Sequence, residues 1–400
     1  YKSKNKALYK NQLDNIFSFI NNSLNDENGL LYSSISAVTE VGDEKIEGDY
    51  YVWKKNNLKE ILGENYELFQ DYYNVNKVGF WEKDKYVLKR EHDDNFFIEK
   101  YNISKNQLES KIKESIKILK KSRENRLKPI VDDKFVTSWN ALSVIGLSDA
   151  YQSTGDNKFL DKALEIISAV EKNLVKKNLI VDRSLSGSNE SILFLEDYSF
   201  LISAYLSLYQ STFNYDFIDR ADELAKKTLS LFSHEESPFL RFSTDQSLFF
   251  SNDLFVNQDG VMPSPNSVMC ENLFLLSHHT GNRKYYQTGK LMIDAMANDI
   301  IDNTLDHMNW LNVSLDYNDK FFEVVVSGKK SYKMANEISS KYFPNILIAA
   351  SKKDSDKYLL KNRYNKGETL IYVCVNNTCK FPVNNVNEAL KLITKKDEKI

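Results

Sequence analysis

Helices that are apolar on nearly every side alternate along the chain with helices that have a charged face. The segment from Tyr198 to Tyr209, "YSFLISAYLSLY", is interrupted only by serine. The next segment is amphipathic, with Phe217, Ala221 and Leu224 on one face and charges elsewhere. A helix without a polar face is buried, and a helix with a charged face lies at the surface. The alternation predicts an inner helix followed by an outer helix.

A short polar stretch with the same layout separates the inner from the outer helix in each repeat. The three stretches are "STGDNKF" at 153–159, "STFNYDF" at 211–217 and "HTGNRKY" at 279–285, so that a threonine recurs about every sixty residues. Gly155 and Gly281 fit the left-handed residue that ends a helix, and Asp156 and Asn282 fit the cap of the next one. These stretches are predicted turns between two helices.

Repeated helical hairpins predict a mainly α fold in which the hairpins form a ring, an (α/α) toroid. Residues 3–20 match an outer helix without its inner partner, so the predicted toroid is incomplete at the N-terminus. The segments "FFEVVVSG", "NILIAAS" and "TLIYVCV" predict a small α/β appendage at the C-terminus. We expect a toroid over 1–318, with strand-containing insertions near 29–103 and 233–262, and an α/β segment over 319–400.

Composition and charge narrow the class of function. Hydrophobic residues make up 42% of the chain and charged residues 27%, with 13 Gly and 6 Pro, which excludes disordered and collagen-like proteins. A net charge of −3 with interspersed signs provides no basic surface for nucleic acid. No apolar run approaches the roughly 18 residues that a membrane span needs. We expect neither nucleic acid nor a membrane as a partner.

The three cysteines predict no disulfide framework. An odd number of cysteines in a large chain favours a reducing compartment, and we expect the cytoplasm. The spacing of Cys374 and Cys379 fits neither a zinc site nor a Cys-x-x-Cys pair, so we expect two small residues beside a turn. No phosphate-binding loop or metal motif occurs, and we expect neither a metal nor a cofactor.

Polar residues collect where each inner helix begins. Asn140, Tyr198 and Asn266 each precede the repeat threonine by 14 residues. The starts of parallel inner helices meet at one end of a ring, where helix N-termini can bind ligand oxygens. The alternative is that these side chains only cap their helices. Trp139 and Lys134 are not capping residues, which favours a functional cleft.

Several motifs, taken in order, resemble the spermatogenesis-associated protein 20 family and its bacterial thioredoxin-domain-containing members, in the region after the thioredoxin-like domain. They are "GLLYSS…EGDYYVW", "RENRLKPIVDDKFVTSWNALSVIGLSDAY", "LEDYSFLISAYLSLYQST", "DGVMPSPNSVMCENLFLLSHHTGN" and "YVCVNNTCKFPV". The resemblance covers essentially the whole chain. It implies a toroid of the six-hairpin glycosidase type, similar to N-acylglucosamine 2-epimerases, with a thioredoxin-like domain upstream. Ser36 and Val38 stand where relatives have acids, and Pro265 stands where they have glycine.

The resemblance and the polar clusters together predict a site for a small polar ligand such as a sugar. Glycosidic hydrolysis needs two carboxylates across a cleft, whereas an epimerase needs a positioned acid and base, for which His307 begins an inner helix. The expected catalytic residues are Asp132, Asp133, Glu196 and Asp197. The expected substrate-binding residues are Lys134, Trp139, Asn140, Tyr198, Asn266 and Ser267.

Two functions are open at this point. The first is a carbohydrate-active or sugar-binding toroid, similar to a glycoside hydrolase or a sugar epimerase and acting through a carboxylate-lined cleft. The second is a catalytically degenerate scaffold that docks a partner or the upstream thioredoxin-like domain. The polar cluster at 132–140 favours the first function. The missing acids at Ser36 and Val38 favour the second.

Overall fold

The computed structural model describes residues 1–185, 192–244, 254–375 and 378–394. The chain consists of two compact units. The helical unit contains Tyr1–Ser33 and Lys134–Ile400, and the inserted unit contains Ser34–Asp133. The division of the chain at residue 318 stays a prediction.

Helix α1 (Ala7–Phe19) opens the helical unit, and the chain then forms the inserted unit. The elements of the inserted unit are β1 (Ser34–Ile35), β2 (Val38–Val41), β3 (Glu44–Glu47), β4 (Trp53–Lys54), α2 (Lys55–Leu62), α3 (Tyr66–Tyr72), β5 (Lys85–Tyr86), α4 (Asp94–Tyr101), α5 (Lys105–Glu124) and β6 (Val131–Asp132). Its first and last strands pair with each other, with Ser34 opposite Asp132. This unit has a hydrophobic core of its own, which includes Phe69, Phe97 and Leu108.

The helical unit continues with α/α hairpins. Its helices are α6 (Thr137–Thr154), α7 (Asn157–Asn173), α8 (Leu195–Thr212), α9 (Asp216–Phe232), α10 (Pro265–Thr280), α11 (Arg283–Asp302) and α12 (Met308–Asn318), with the short strands β7 (Val175–Lys176) and β8 (Ile180–Val181) after α7. Helices α6, α8, α10 and α12 lie side by side in that order, and α7, α9 and α11 each pack on the inner helix before them. Residues 245–253 of the predicted insertion near 233–262 lie outside the described residues.

The predicted turns between inner and outer helices are confirmed. Gly155 and Gly281 end α6 and α10 with φ of 70° and 71°, and Asp156 and Asn282 cap the helices that follow. Each repeat threonine is the last residue of its inner helix. Its hydroxyl donates to the carbonyl four residues earlier and accepts the amide two residues later, which explains why threonine recurs at this position.

The C-terminal segment forms a small α/β layer. Its elements are β9 (Phe322–Ser327), α13 (Ser331–Ser339), β10 (Ile346–Ser351), β11 (Leu370–Val375), β12 (Thr378–Cys379) and α14 (Val386–Thr394). Within the described residues, the sheet has the order β10-β9-β11-β12, with β9 and β10 parallel and the other pairs antiparallel. Every residue of β9 is buried. The predicted class, a mainly α toroid of helical hairpins with a C-terminal α/β segment, is confirmed.

One expectation about the cysteines is wrong. Cys374 and Cys379 form a disulfide, whereas Cys270 is free and buried. Antiparallel pairing of β11 and β12 places the two residues directly opposite each other, and a Cys-x4-Cys spacing does not reveal that register. The cysteines therefore no longer support the expectation of a reducing compartment.

Over the residues described, none of the helices combines the length and the apolar character needed to cross a lipid bilayer.

Candidate functional site

The residue 14 positions before the repeat threonine makes equivalent hydrogen bonds in each hairpin. The side chain of Asn140 accepts a hydrogen bond from the Leu31 amide at 2.8 Å and donates one to the Leu31 carbonyl at 3.1 Å. Asn266 makes the same pair of bonds with Leu240, at 2.9 and 3.0 Å. Both asparagines are buried. Through these hydrogen bonds, each asparagine holds a distant backbone segment at the start of an inner helix.

Tyr198 does this with a hydroxyl group. It accepts a hydrogen bond from the Val181 amide at 3.0 Å and donates one to the Leu179 carbonyl at 3.1 Å. Burial is the first cause that raises the pKa of Tyr198 to about 12, so the phenol remains neutral. The ring is fully buried and packs against Phe232.

Glu196 and Asp197 come together with Arg183 and Ser138. Oε1 of Glu196 accepts the Ser138 hydroxyl at 2.8 Å, and Oδ1 of Asp197 accepts the Ser138 amide at 3.0 Å. Arg183 lies 3.3 Å from Glu196 and 3.4 Å from Asp197. Burial raises the pKa of Asp197 to about 7, although Arg183 and the Ser138 amide oppose the rise. This cluster joins the starts of α6 and α8.

The other candidates are distributed differently. Ser267 is buried and bonded, since its hydroxyl donates to the Ser264 carbonyl and accepts from Asn309. Trp139 is 41% exposed at the start of α6. Lys134 is exposed and belongs to the helical unit. Asp132 and Asp133 belong to the inserted unit, with Asp132 in β6.

A cavity of about 420 Å³ lies within the helical unit along the inward faces of α6, α8, α10 and α12. On each of the longer helices, the residues that line the cavity are mostly three or four positions apart, as expected for one face of a helix. On α6 it consists of Leu142, Ile145, Asp149 and Gln152. Lys2 and the segment from Phe343 to Ile348 also line it. Each inner helix therefore has a face on this cavity, and these faces include acidic and amide side chains.

Three carboxyl groups line this cavity: Asp149, Glu271 and Asp316. None of them has a hydrogen bond or an ion pair at contact distance within the part of the chain that the structure describes. Asp149 is accessible to solvent, and Glu271 and Asp316 are partly buried. A carboxyl group without partners in a partly enclosed space is destabilised in its charged form.

Burial and mutual repulsion both act on these acids. The surrounding cavity walls withdraw the Asp149 carboxyl from bulk water, although water reaches it, and this raises its pKa, while Lys2 opposes the rise. Burial and then the charge of Asp149 raise the pKa of Glu271. Burial and then the charge of Glu271 raise the pKa of Asp316 to about 7. The three groups thus form a row of coupled acids, with Lys2 acting on Asp149, and Lys341 is a second cation in the lining.

Amide, hydroxyl and imidazole groups complete the lining. Lys2 donates to Gln152 at 3.2 Å, and Ser203 donates to Asn272 at 2.8 Å. His279 is 3% exposed, and its Nδ1 has no hydrogen-bond partner among the described residues. Burial lowers the pKa of His279 to about 3, so its imidazole is neutral. In the described ranges, no group of three or more His, Cys, Asp or Glu side chains can hold a metal ion.

The three cavity acids are not among the site residues predicted from the sequence, but the sequence does contain a signal for them. Asp149, Glu271 and Asp316 are each the only acidic residue of an inner helix. An acid that stands alone in a largely uncharged inner helix marks a functional candidate, although the helix sequence does not show which face borders a cavity. His307, the expected epimerase residue, is buried and contacts the Asn303 carbonyl through Nδ1 at 2.9 Å.

Comparison with individual protein sequences gives matches over part of their length, although no protein-family model matches the chain. An uncharacterized protein of Caenorhabditis elegans is 30% identical over 257 residues, which is 58% of this chain and 35% of that protein. Human spermatogenesis-associated protein 20 is 20% identical over 429 residues, which is 96% of this chain and 54% of that protein. The resemblance to the spermatogenesis-associated protein 20 family is confirmed.

The chain spans about a third of the length of the nematode protein and about half the length of human spermatogenesis-associated protein 20. Among solved structures, it is similar to a GH76 α-mannanase of Bacteroides thetaiotaomicron, with a TM-score of 0.39 and 14% identity. That likeness covers 58% of this chain and 68% of the mannanase. A TM-score below 0.5 assigns no activity to this chain, so its function is argued from the cavity.

Proposed function

We propose that the chain is a carbohydrate-active or sugar-binding protein whose ligand occupies the cavity between α6, α8, α10 and α12. The observation that supports this is the convergence of Asp149, Glu271 and Asp316 on one cavity, where their carboxyl groups have no partner among the described residues. Acids with a raised pKa in a cavity are typical of binding and catalytic sites, because a bound ligand can donate the hydrogen bonds that the protein does not provide.

The lining suits a sugar better than an apolar or an anionic ligand. Sugar hydroxyls donate to carboxylates and also bond to amides such as Gln152 and Asn272. Phe200, Phe321 and Phe343 provide apolar surface for the C–H faces of a sugar ring. Three acids would repel a phosphate or a carboxylate ligand. A volume of about 420 Å³ lies in the range of small-molecule sites.

The coupled acids can divide the roles of an acid and a base. Asp316, with a pKa of about 7, keeps its proton for part of the time at neutral pH and is the proposed general acid. Asp149 has Lys2 beside it, so it is the acid best supported in its charged form and is the proposed base. This division of roles is what glycoside hydrolysis needs, and an epimerase-like proton transfer needs a similar pair.

Two residues expected from the sequence extend this site in the proposal. Trp139 precedes Leu142 by three residues, and Glu196 precedes Phe200 by four, so each lies one turn from the cavity lining on the same helix face. Trp139 is proposed to stack on a sugar at the entrance. The catalytic roles expected for Asp132, Asp133, Glu196 and Asp197 stay predictions.

The alternative is a non-catalytic scaffold that docks an upstream thioredoxin-like domain. The observation that favours it is that the polar residues at the helix starts form hydrogen bonds with other parts of the chain. Asn140, Asn266 and Asp197 all have partners within the chain. Under this alternative the cavity binds no sugar.

A binding experiment separates the two functions. Mono- and disaccharides are screened by thermal shift against the wild type, and hits are titrated by calorimetry on Glu271→Gln and Asp316→Asn. The matched control is Glu223→Gln, an exposed acid on α9. A sugar that binds the wild type and the control, but binds both cavity variants at least tenfold more weakly, supports the proposal. Absence of any sugar binding, or equal binding by all four proteins, contradicts it.

A further inference from the structure

The disulfide at the edge of the C-terminal sheet is asymmetric. Cys374 on β11 is fully buried, whereas Cys379 on β12 is exposed. The two residues are directly opposite partners on antiparallel strands. A thiolate that arrives from solution therefore meets the sulfur of Cys379 first, and Cys374 becomes the leaving group.

Arg363 places its guanidinium against both sulfur atoms. Its Nη1 lies 3.5 Å from Cys374 Sγ, and its Nη2 lies 3.5 Å from Cys379 Sγ. A cation at this distance stabilises a thiolate more than a disulfide, because only the thiolate carries a full negative charge. Arg363 thus favours the opening of the bond, and a stabilised leaving thiolate departs faster.

The buried carboxyl group of Glu323 acts electrostatically on Arg363. Glu323 on β9 is the direct partner of Cys374 on β11, so both side chains leave the same face of the sheet. Its Oε1 lies 2.7 Å from Nδ1 of His278, and its Oε2 has no hydrogen-bond partner among the described residues. Burial lowers the pKa of Arg363, and the charge of Glu323 opposes this change. Arg363 therefore carries a positive charge beside the sulfurs, and Glu323 adds to the preference for the charged form.

We propose that Cys374 and Cys379 form a thiol–disulfide exchange site whose co-reactant is a dithiol. Cys379 is the sulfur that is attacked, Cys374 is the leaving thiolate, and Arg363 stabilises that thiolate. The site lies outside the cavity of the proposed function and does not depend on it.

The exchange balances in two steps. A thiolate of the dithiol attacks Cys379 Sγ, the bond between Cys379 and Cys374 breaks, and Cys374 leaves as a thiolate. The second thiol of the co-reactant then attacks the mixed disulfide and releases Cys379. The chain gains two electrons and two protons as two thiols, and the dithiol loses the same number and becomes a disulfide.

The test uses the full chain without denaturant and dithiothreitol as the probe dithiol. Thiols are trapped by alkylation at successive times and assigned by peptide mass spectrometry. Cys374 and Cys379 are expected to become alkylated while the buried Cys270 stays unmodified. Arg363→Met is expected to slow reduction about tenfold and to shift the equilibrium in a glutathione buffer about tenfold toward the disulfide. Arg363→Lys is expected to recover part of both effects.

The matched control is Lys366→Met, an exposed cation in the same segment, which is expected to react like the wild type. Melting curves of the oxidised proteins show which variants are folded. If Arg363→Met is unfolded, the reduction rate of Arg363→Lys is compared with those of the wild type and Lys366→Met instead. The proposal is overturned if the disulfide stays closed until the chain unfolds. It is also overturned if the folded Arg363 variants and Lys366→Met are reduced at the same rate.

Discussion

Asn266 joins the segment around Leu240 to the start of α10 through two hydrogen bonds, and a third bond reaches the Val256 carbonyl at 3.3 Å. Asn140 does the same for Leu31. The register of these residues follows from the repeat. Their role does not, because Leu31 lies 109 residues away along the chain from Asn140. Sequence spacing shows what is equivalent within a repeat but not what a side chain contacts.

Asn266→Ala is expected to lower the free energy of unfolding by about 3 kcal/mol, because it leaves the amide and carbonyl of the buried Leu240 without partners. Urea unfolding measures the change. Asn318→Ala, which removes an exposed bond to the Ser314 carbonyl, is the control and is expected to change the value by less than about 0.5 kcal/mol. Equal effects of the two substitutions would show that the Asn266 bonds are not structural.

Asp316 is expected to make stability depend on pH. Its pKa in the folded chain is about 7, above its ordinary value of 3.8, so the folded state holds the proton more tightly than the unfolded state. The contribution of Asp316 to the free energy of unfolding therefore falls as the pH rises from about 4 to about 7. Asp316→Asn removes this contribution, so the difference between wild type and variant should change across that range and level off above it. A constant difference from pH 4 to 8 contradicts the raised pKa.

At the scale of elements, the turns that follow the inner helices differ in their surroundings. Gly155, Phe213 and Gly281 all adopt positive φ at the end of an inner helix. A side chain is therefore tolerated at this position where it has space and packing, as Phe213 has against Tyr209. The periodicity of 3.6 residues predicted these helices, and the glycine and its capping neighbour predicted where they end.

Gly155→Ala and Gly281→Ala form a matched pair. A Cβ at position 155 would have no atom within 4 Å. Gly155→Ala is therefore expected to lower the free energy of unfolding by about 1 kcal/mol, from the positive φ alone. The Cβ at Gly281 would lie 2.6 Å from the Tyr358 ring, so this change is expected to cost more. Thermal unfolding of both variants measures the difference. A smaller loss for Gly281→Ala than for Gly155→Ala would contradict the close contact with Tyr358.

The disulfide was the element-scale feature that sequence reasoning missed. Helix periodicity extends over many residues, whereas β12 has only two. Register in so short a strand depends on the sheet around it. The pairing of Cys374 with Cys379 therefore became visible only in the structure.

At the scale of the whole molecule, the inserted unit has its own core, and its two ends meet in the pairing of β1 with β6. The fragment 34–133 is therefore expected to fold alone, with a helical circular dichroism spectrum and a cooperative urea transition. Phe97→Ala in the fragment removes a buried ring and is expected to lower its stability by about 3 kcal/mol or unfold it. A fragment with the spectrum of an unfolded chain contradicts this expectation.

The alternation of inner and outer helices predicted the architecture of the helical unit. The polar site expected at the helix starts, where polar residues are densest, stays a prediction. The cavity of the proposed function runs along the inward faces, where Asp149, Glu271 and Asp316 are each the only acid of their helix. Which face of a buried helix borders a cavity depends on the packing of its neighbours, and one helix sequence does not contain that information.

A sugar bound between the three cavity acids would be visible in a crystal structure of the chain, grown with a saturating concentration of a sugar from the binding screen. We expect density for the sugar within hydrogen-bond distance of Glu271 and Asp316. An empty cavity in such crystals, or sugar density only at other places on the chain, would contradict it.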